Sequence, residues 1–474
     1  MPGVRQTRVV ILALFLAVAI PLSAQTFTAL YTFADPNGAS PDAGLVQGAD
    51  GNFYGTTEFG GATGFGRVFR ITPGGTVTTL YSFCGRPACT GGASPVAALV
   101  QAADGDFYGT TWAHTVFKIT PAGTLTTLYS FCSQSQRTDG DYPHAGLVQA
   151  ASGELYGTTD TGGANGRRTV FKMTPGGTLT TLYSFCSQSH CTDGYGPTAG
   201  LVQAGSGDFY GTTSGGVQES HGTVFKITSR GTLTTLYRFC AQTGCPDGEN
   251  PYAGLVHAAN GDFYGTTVNG GAPANRGTVF KITSGGALTT LYSFCAQSGC
   301  ADGENPVGGL VPGTDGNLYG TTSSGGTYGG TVFRTTPDGV LTTLYTFCSQ
   351  ITPAGCTDGA APYGALTQAT NGDFYGTTFH GGDHAGTVFS VSVGLGPFVR
   401  TLPVSGQAGI GIRILGTNLT GATSVRFDGA EAIFKVISSS EIAAYVPADA
   451  SSGDVQVVTP GGTLSSNVPF RVLP

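Results

Sequence analysis

The sequence predicts an all-β chain in which one small sheet is repeated around a ring. A Tyr-Gly-Thr-Thr core recurs seven times, beginning at Tyr54, Tyr108, Tyr156, Tyr210, Tyr264, Tyr319 and Tyr375. The cores are 54, 48, 54, 54, 55 and 56 residues apart, and a near-constant period of this size indicates a repeat architecture. Only 10% of the residues are charged and 78 of 474 are glycine, which is typical of a turn-rich β protein. These observations predict a seven-bladed β-propeller over residues 25–393, followed by an immunoglobulin-like β-sandwich over residues 397–474.

Each period contains four segments with strand character. In the fifth repeat they are residues 253–257, 262–267, 278–283 and 288–294, in which Val, Ile, Thr, Tyr and Phe dominate. Asn-Gly or Asp-Gly joins the first two segments and predicts a tight hairpin. Four strands per unit favour a propeller blade. A β-solenoid is the alternative, but its rungs are usually much shorter than this period.

The connections between segments predict how the ring closes. The link from the fourth segment to the next first segment is the longest, so we interpret it as the crossover between blades. The first segment, rich in small residues, is then innermost. Residues 26–33 have the character of an outer strand with no inner strands before them, whereas the last repeat ends at Val391 without an outer strand. We therefore expect the N-terminal strand to complete the last blade.

The repeat resembles a known tandem-repeat family. The matching stretches are Asp-Gly-Asp-Phe-Tyr-Gly-Thr-Thr, the Gly-Gly loop after it and Gly-Thr-Val-Phe-Lys-Ile-Thr. They are similar to the GloVer (Gloeo/Verruco) repeat of secreted bacterial proteins and, more loosely, to the two-component-regulator propeller repeat. The resemblance covers about residues 26–393, and because repetition defines the family it implies little about activity. WD and kelch signatures are absent.

The C-terminal segment carries a second resemblance. After a Gly-Leu-Gly linker at 394–396, short alternating strands with turn residues every 8 to 12 positions indicate a β-sandwich. The stretches 411–420, 422–429, 440–447, 453–462 and 468–472 are similar to the IPT/TIG domain across nearly its full length. That resemblance implies a module for contacts or spacing.

The N-terminus predicts export. Arg5 and Arg8 precede an apolar run at 9–20, and Leu-Ser-Ala at 22–24 suits cleavage before Gln25, so residues 1–24 are interpreted as a signal peptide. An uncleaved anchor is the alternative. Removing the signal moves the formal charge from −7 to −9, and no Lys/Arg cluster points to a nucleic-acid partner. We expect a secreted protein, extracellular, on the cell surface or periplasmic, without a membrane span after cleavage.

Ten of the eleven cysteines form close pairs just after the outer strands. In an exported protein such pairs favour local disulfides, each contributing on the order of 2 kcal/mol in the chain-entropy model. Cys132 is unpaired, because Arg137 stands where its partner would be. Metal binding is a weaker alternative, since each pair supplies only two ligands. The predicted disulfides are Cys84–Cys89, Cys186–Cys191, Cys240–Cys245, Cys295–Cys300 and Cys348–Cys356.

Candidate functional residues are those that depart from the repeated unit, because residues shared by all seven units are explained by packing and turns. The departures cluster in the loops after the second strands, which we expect on the same face as the cysteine crossovers. The alternative explanation is neutral sequence drift in solvent-exposed loops. Asp160, Arg168 and Asn275 are among the departures, and the predicted ligand-binding residues are Trp112, His114, Arg167, Glu219, His221, Arg276, His380, Asp383 and His384.

Two stretches have metal-ligand character, although we expect no metal and no cofactor. His380-Gly-Gly-Asp-His384 could bind zinc or another transition metal, but glycine-rich loops do not fix the spacing. The stretches Asp247–Asn250 and Asp302–Asn305 offer oxygens to calcium, with turn formation as the favoured alternative. The sequence contains no nucleophile elbow, phosphate-binding loop or zinc-protease helix motif. Paired carboxylates at the axis stay an open alternative, because sequence does not show distances between blades.

The sequence therefore favours non-catalytic recognition of a polysaccharide or a surface protein through the loops. A polysaccharide-active lyase or hydrolase and a structural envelope protein are the alternatives, since fold alone does not decide function. Acids and histidines gathered at the channel mouth would favour an enzyme, whereas an aromatic-lined groove would favour glycan binding.

Overall fold

A computed structural model describes residues 25–34, 38–84, 91–215, 221–353, 355–382 and 385–473. The predicted signal peptide, residues 1–24, lies outside them. No helix among the described residues combines the length and hydropathy needed to span a membrane.

The repeats fold into seven antiparallel four-stranded sheets, and the predicted seven-bladed propeller is confirmed. Numbered in chain order, the blades place their first strands innermost. These inner strands are Val46–Gln47, Val100–Gln101, Val148–Gln149, Val202–Gln203, Val256–His257, Val311–Pro312 and Thr367–Gln368. The second strands are Phe53–Thr57, Phe107–Thr111, Leu155–Thr158, Phe209–Thr213, Phe263–Thr267, Leu318–Thr322 and Phe374–Thr378.

The outer half of each blade is equally regular. The third strands are Arg67–Ile71, Thr115–Ile119, Thr169–Met173, Thr223–Ile227, Thr278–Ile282, Thr331–Thr335 and Thr387–Ser392. The outer strands are Val77–Ser82, Leu125–Ser130, Leu179–Ser184, Leu233–Arg238, Leu288–Ser293, Leu341–Thr346 and, for blade seven, Thr26–Thr32. Crossovers contain the short 3₁₀ turns Ser135–Arg137, Ser189–Cys191 and Ser298–Cys300 and the small hairpin Ile351–Thr352 with Gly355–Cys356.

The N-terminal strand closes the ring, as predicted. Thr26–Thr32 pairs antiparallel with Thr387–Ser392, so blade seven is built from both ends of the propeller. Phe33 is fully buried, and its ring centroid lies 5.3 Å from that of Phe69 in blade one. A hydrogen bond near the axis also joins the last blade to the first, because the Thr370 backbone N–H donates to Gln47 Oε1 at 3.0 Å.

The repeated tyrosine joins each blade to the next. The Tyr54 ring stacks on Phe107 of blade two with centroids 4.0 Å apart, and its hydroxyl donates to Asp50 at 2.9 Å. The stack between Tyr375 and Phe53, also at 4.0 Å, repeats this contact across the closure. The tyrosine is therefore a core residue that buries a large apolar ring at every blade boundary.

The glycine and first threonine of the same core also have packing roles. A Cβ on Gly55 would lie 2.7 Å from the Phe69 ring, so only glycine lets the third-strand aromatic cover the second strand. Thr56 Oγ1 donates to the Ala97 carbonyl of the next blade at 3.2 Å. The recurrence of these residues is thus explained by the scaffold.

The C-terminal segment forms two facing sheets around one apolar core. In sheet order, one contains Arg400–Leu402, Gly411–Leu415, Glu441–Tyr445 and Phe434–Val436, and the other Ala430–Glu431, Ser424–Phe427, Val455–Thr459 and Gly462–Ser465. Ser405–Gln407 pairs in parallel with Arg471–Leu473. The core includes Ile414, Val425, Ile442, Val455 and Val457, all fully buried.

The sandwich packs against one face of the propeller, where the inner strands turn into the second strands. Ser440 Oγ donates to the Ala49 carbonyl at 2.9 Å, and the Thr370 and Thr417 hydroxyls are 2.8 Å apart. Arg400 donates to the Gln47 carbonyl at 2.9 Å. The face on which the crossovers emerge is left uncovered by the sandwich.

Candidate functional site

The loops after the second strands lie on the same face as the crossovers. The Gly271 N–H donates to the Cys245 carbonyl at 2.9 Å, and the Gly326 N–H donates to the Cys300 carbonyl at 2.8 Å. We call the surface formed by these loops and crossovers the loop face. It lies opposite the sandwich, as the order of the strands requires.

A cavity of about 570 Å³ opens at the ring axis on the loop face. It is lined by the residue that directly follows the proline before each inner strand. Because this position recurs in every blade, the seven side chains form a ring around the axis, which we call the axial ring. Its members differ in chemistry from blade to blade. They are Asp42, Val96, His144, Thr198, Tyr252, Val307 and Tyr363.

The backbone turn before each proline is a property of the scaffold. The residue at this point has a positive φ in all seven blades, for example 55° at Ser40 and 49° at Tyr142. Asn250 and Asn305 tolerate this conformation well, with φ of 56° and 55°. Since the turn is the same everywhere, only the side chain after the proline distinguishes one position of the axial ring from another.

Asp42, the acidic residue of the axial ring, has an unusually high pKa. Burial, reinforced by the Glu58 carboxylate, raises the pKa of Asp42 to about 7. Burial also raises the pKa of Glu58 above its ordinary value. Near neutral pH, Asp42 therefore exists in both protonation states and can donate or accept a hydrogen bond.

Neutral hydrogen-bonding groups complete the polar lining of the cavity, and an ion pair acts on them from outside it. Burial lowers the pKa of His144, partly opposed by Asp160, so this imidazole is neutral at pH 7. Burial, with the Asp160 charge, raises the pKa of the Tyr252 hydroxyl. Arg168 Nη2 lies 2.9 Å from Asp160 Oδ1 and fixes that carboxylate.

Aromatic side chains flank the axial ring. The Trp112 ring centroid lies 5.2 Å from Tyr142 and 5.5 Å from His144. Tyr363 lies 5.1 Å from Phe379. The cavity mouth therefore combines aromatic faces with hydrogen-bonding groups.

Exposed apolar side chains concentrate on the same face. Among the described residues of the propeller, seven large apolar side chains are exposed, and six of these lie on the loop face. The seventh, Val340, lies in a turn between third and outer strands on the opposite face. Exposed apolar side chains of the propeller are therefore concentrated on one of its two faces. The six are Phe59, Phe65, Trp112, Tyr252, Tyr328 and Ile351.

Several predicted site residues pair with acids of the crossovers instead of facing the axis. His221 Nδ1 lies 3.0 Å from Glu249 Oε2, and Arg276 Nε lies 3.1 Å from Glu304 Oε2. His114 contacts Asp141. These pairs tie the loops to the crossovers, so their first role is to fix the shape of the loop face.

The remaining predicted residues are spread around the rim. The Arg167 guanidinium carbon lies 5.8 Å from the Tyr195 ring centroid, and the His380 ring lies 4.7 Å from Phe379. Of the predicted residues, Trp112 is the one that the structure places in ring contact with a member of the axial ring. Glu219, Asp383 and His384 lie outside the described residues, so the metal-ligand alternative considered for residues 380–384 stays untested.

The stretches considered for calcium have structural roles. Asp247 Oδ2 accepts hydrogen bonds from the Tyr237 hydroxyl at 2.8 Å and the Cys240 N–H at 3.0 Å. Asp302 Oδ2 likewise accepts from Tyr292 at 2.8 Å. These carboxylates hold the crossover against the outer strand, which supports turn formation.

Disulfides close the crossovers. Four predicted bonds are present, namely Cys186–Cys191, Cys240–Cys245, Cys295–Cys300 and Cys348–Cys356. Cys84 is also disulfide-bonded, and its predicted partner Cys89 lies outside the described residues. Cys132 is a free thiol, as predicted. Burial, with the nearby Asp141, raises its pKa to about 11, so it is no thiolate nucleophile at neutral pH.

None of the seven residues of the axial ring is among the site residues predicted from the sequence. Asp42, His144, Tyr252 and Tyr363 were not among the predicted site residues. They immediately precede the small residues of the inner strands, a region for which the sequence predicts only packing at the axis. A usable signal is present in the sequence, because the residue after the proline changes between acidic, basic, polar, aromatic and aliphatic types from blade to blade.

Comparisons with known families agree with the repeat and the sandwich. The family described as the Gloeobacter/Verrucomicrobia repeat matches residues 18–114, 89–246 and 240–409. The IPT/TIG domain matches residues 399–472. No curated protein matches the chain.

Similar solved structures have low sequence identity to this chain. A fungal alcohol oxidase of the AA5 family, solved in complex with copper, is 12% identical with a TM-score of 0.53, covering 95% of this chain and 99% of its own. Its likeness shows the fold alone. A Bacteroides uniformis protein with the provisional name 6-phosphogluconolactonase is 16% identical, covering 66% of this chain and 86% of its own, with a TM-score of 0.42.

Proposed function

The chain belongs to the Gloeobacter/Verrucomicrobia repeat family and ends in an IPT/TIG domain, and from this premise we propose that it is an exported recognition protein that binds polysaccharide at the axial ring. Both kinds of domain are consistent with an adhesion-type protein. The disulfides of the crossovers support an oxidising compartment.

The observation that carries the proposal is the contrast in variability between the blades and the axial ring. Around the cavity, seven equivalent positions carry Asp, His, Thr, two Tyr and two Val, whereas the strands behind them repeat closely. Packing at the axis requires the small residues that follow each axial-ring position. It does not require the axial-ring side chains themselves to differ from blade to blade. Side chains held by a rigid scaffold around one cavity are a typical binding arrangement.

The chemistry of the cavity mouth suits a carbohydrate. Sugar rings present C–H faces that pack on aromatic side chains, and Trp112 and Tyr252 are each 40% exposed on the loop face. Sugar hydroxyls donate and accept hydrogen bonds, which Asp42, His144 and Asn305 at the cavity can satisfy. Aromatic faces and neutral hydrogen-bonding groups together favour a polysaccharide over a strongly charged partner.

The uncovered position of this face supports the same proposal. Contacts of the sandwich with Ala49, Gln47 and Thr370 lie on the other side of the ring. An extended polymer therefore meets no obstruction from the sandwich as it approaches the axial ring. The IPT/TIG domain is free to serve as a spacer or contact module.

A second candidate is a polysaccharide-active enzyme, and the pKa of Asp42 favours it. A buried carboxyl with a pKa of about 7, beside Glu58, could act as a general acid or base at neutral pH. The same carboxyl also serves recognition as a neutral donor. Turnover is therefore the property that separates the two candidates.

The test is a glycan-array screen of the mature chain, with turnover assays on the polysaccharides that bind. We expect retention of a polysaccharide with no new reducing ends and no unsaturated products. If products form and Asp42→Asn abolishes their formation, the protein is a polysaccharide-active enzyme and not a non-catalytic recognition protein. Absence of binding across the array would reject both.

A further inference from the structure

The crossover between blades two and three lacks the disulfide of its neighbours. Cys132 occupies the position of Cys186 in the next crossover, with φ of 61° and 60°, and Arg137 occupies that of Cys191, with φ of 54° at both. The backbone is therefore unchanged while the partner thiol is missing. Among the described crossovers, this is the one with a free thiol.

A histidine enters the same crossover from a shortened loop. The His114 carbonyl accepts a hydrogen bond from the Phe131 N–H at 2.8 Å, as the Gly222 carbonyl does from Phe239 at 3.1 Å two blades on. His114 thus stands where that blade has glycine, with a φ of 69°. Its imidazole Nδ1 contacts the Asp141 carboxylate.

Asp141 supplies a buried carboxylate close to the Cys132 thiol and the His114 imidazole. Its side chain is fully buried, and Oδ2 lies 2.8 Å from Arg137 Nη1. The Arg137 side chain is 61% exposed, so it can swing into solvent and release this oxygen. One ligand atom each from His114, Cys132 and Asp141 lies within 4.8 Å of the others.

We propose that His114, Cys132 and Asp141 form a binding site for a divalent metal ion of the zinc class. Zinc takes thiolate, imidazole and carboxylate ligands at about 2.0–2.3 Å, which places tetrahedral ligand atoms about 3.3–3.8 Å apart. Side-chain shifts on the order of 1 Å convert the observed arrangement into that geometry. Cys132 Sγ releases its proton to solvent as the sulfur–metal bond forms, and water completes the coordination.

The metal would replace the missing covalent link. In the neighbouring crossover a disulfide joins the start and end of the same short turn. Here the ion would join Cys132 at the start of the crossover to Asp141 near its end, and would add the loop of blade two through His114. Metal binding here does not require polysaccharide binding, although His114 shares its loop with Trp112.

A sister cluster in the same molecule provides an internal control. His221 and Glu249 lie beside Cys240 and Cys245, in the equivalent crossover between blades four and five. Those cysteines form a disulfide, so no thiolate is available. We therefore expect one metal ion per oxidised chain, at the His114 site.

The test is a titration of the mature chain, purified without reductant, with Co²⁺ and then with competing Zn²⁺. We expect one equivalent of Co²⁺ with a thiolate-to-metal charge-transfer band, displaced by Zn²⁺. Zn²⁺ should also protect Cys132 from alkylation, measured by peptide mass spectrometry. Absence of stoichiometric binding, or a bound ion without the thiolate band, overturns the proposal.

Three variants make the assignment specific. Arg137→Cys recreates the disulfide of the neighbouring crossovers and should abolish binding while the propeller stays folded. Cys132→Ser should weaken binding by more than about 100-fold, and His221→Ala should leave it unchanged. If Cys132→Ser keeps its affinity for the metal, the ion binds elsewhere and the proposal is overturned. The same holds if Arg137→Cys keeps its affinity after mass spectrometry has verified the new disulfide.

Discussion

Two tyrosines show how differently the blades and the loop face use one residue type. Tyr54, one of the repeated series, is 1% exposed and stacks on the next blade. Tyr252 occurs at one position of the axial ring and is 40% exposed. In a repeat protein, a residue that recurs in every unit is explained by the fold. A residue that breaks the series on an open face is available for recognition.

The largest effect should follow from opening the ring. Deletion of residues 26–33 removes the outer strand of blade seven and the buried Phe33, and exposes the edge strand Thr387–Ser392. Because loss of one buried phenylalanine alone costs about 3–5 kcal/mol, we expect the whole propeller to lose its cooperative melt or to aggregate. Calorimetry and size-exclusion chromatography check this. Thr28→Ala, at an exposed position of the same strand, is the control, and an unchanged melt after the deletion would contradict closure.

The repeated tyrosine should carry the next largest effect. Tyr54→Ala leaves a cavity beside Phe107 and removes the hydrogen bond to Asp50, so we expect a loss of about 3–5 kcal/mol in the free energy of unfolding. Denaturant titration measures it. Tyr252→Ala should change the same quantity by less than about 0.5 kcal/mol. Equal losses in the two variants would erase the distinction between the two regions.

Each disulfide should contribute less to the free energy of unfolding than a buried aromatic side chain of the core does. The double variant Cys186→Ser with Cys191→Ser should lose about 2 kcal/mol, because the closed turn is short. Arg137→Cys should gain a similar amount by closing the crossover that lacks a disulfide. Thermal melts in oxidising and reducing buffer check both, and the gain should disappear on reduction. A gain that survives reduction would show that the disulfide is not its source.

The raised pKa of Asp42 on the loop face should make the stability of the chain depend on pH. The folded-state pKa of Asp42, about 7, lies above its ordinary value of 3.8, so between these pH values the folded chain holds the extra proton. This residue therefore makes stability fall as pH rises from about 4 to 7, by at most about 1.4 kcal/mol per pH unit for one proton. Melts from pH 4 to 8 should show a shallower decline in Asp42→Asn. The same slope in both proteins would contradict the raised pKa.

The sequence predicts the scaffold well because the scaffold is periodic. Seven cores, four segments per period and an outer strand missing at residue 391 were enough to predict the blade count and the closure by residues 26–33. The local cysteine spacing likewise predicted the four disulfides whose two cysteines are both described, and the free thiol at Cys132.

The candidate site was predicted less completely, because its geometry depends on contacts between segments. The sequence does not show that the residue after each proline faces the axis, so Asp42 and Tyr252 were missed. Nor does it show that His221 and Arg276 are already engaged by Glu249 and Glu304. Those pairings arise only when loop and crossover meet on the loop face.

The most direct test of the central claim compares two exposed tyrosines for polysaccharide binding. Tyr252 lies on the axial ring, whereas Tyr445 is 58% exposed on the sandwich and serves as the matched control. Affinity for a polysaccharide identified by the array should fall about 10-fold or more in Tyr252→Ala, which corresponds to about 1.4 kcal/mol. Tyr445→Ala should bind like the parent, and both variants should melt at the parent temperature. Normal binding by Tyr252→Ala together with a loss in Tyr445→Ala would move recognition to the sandwich and contradict the account.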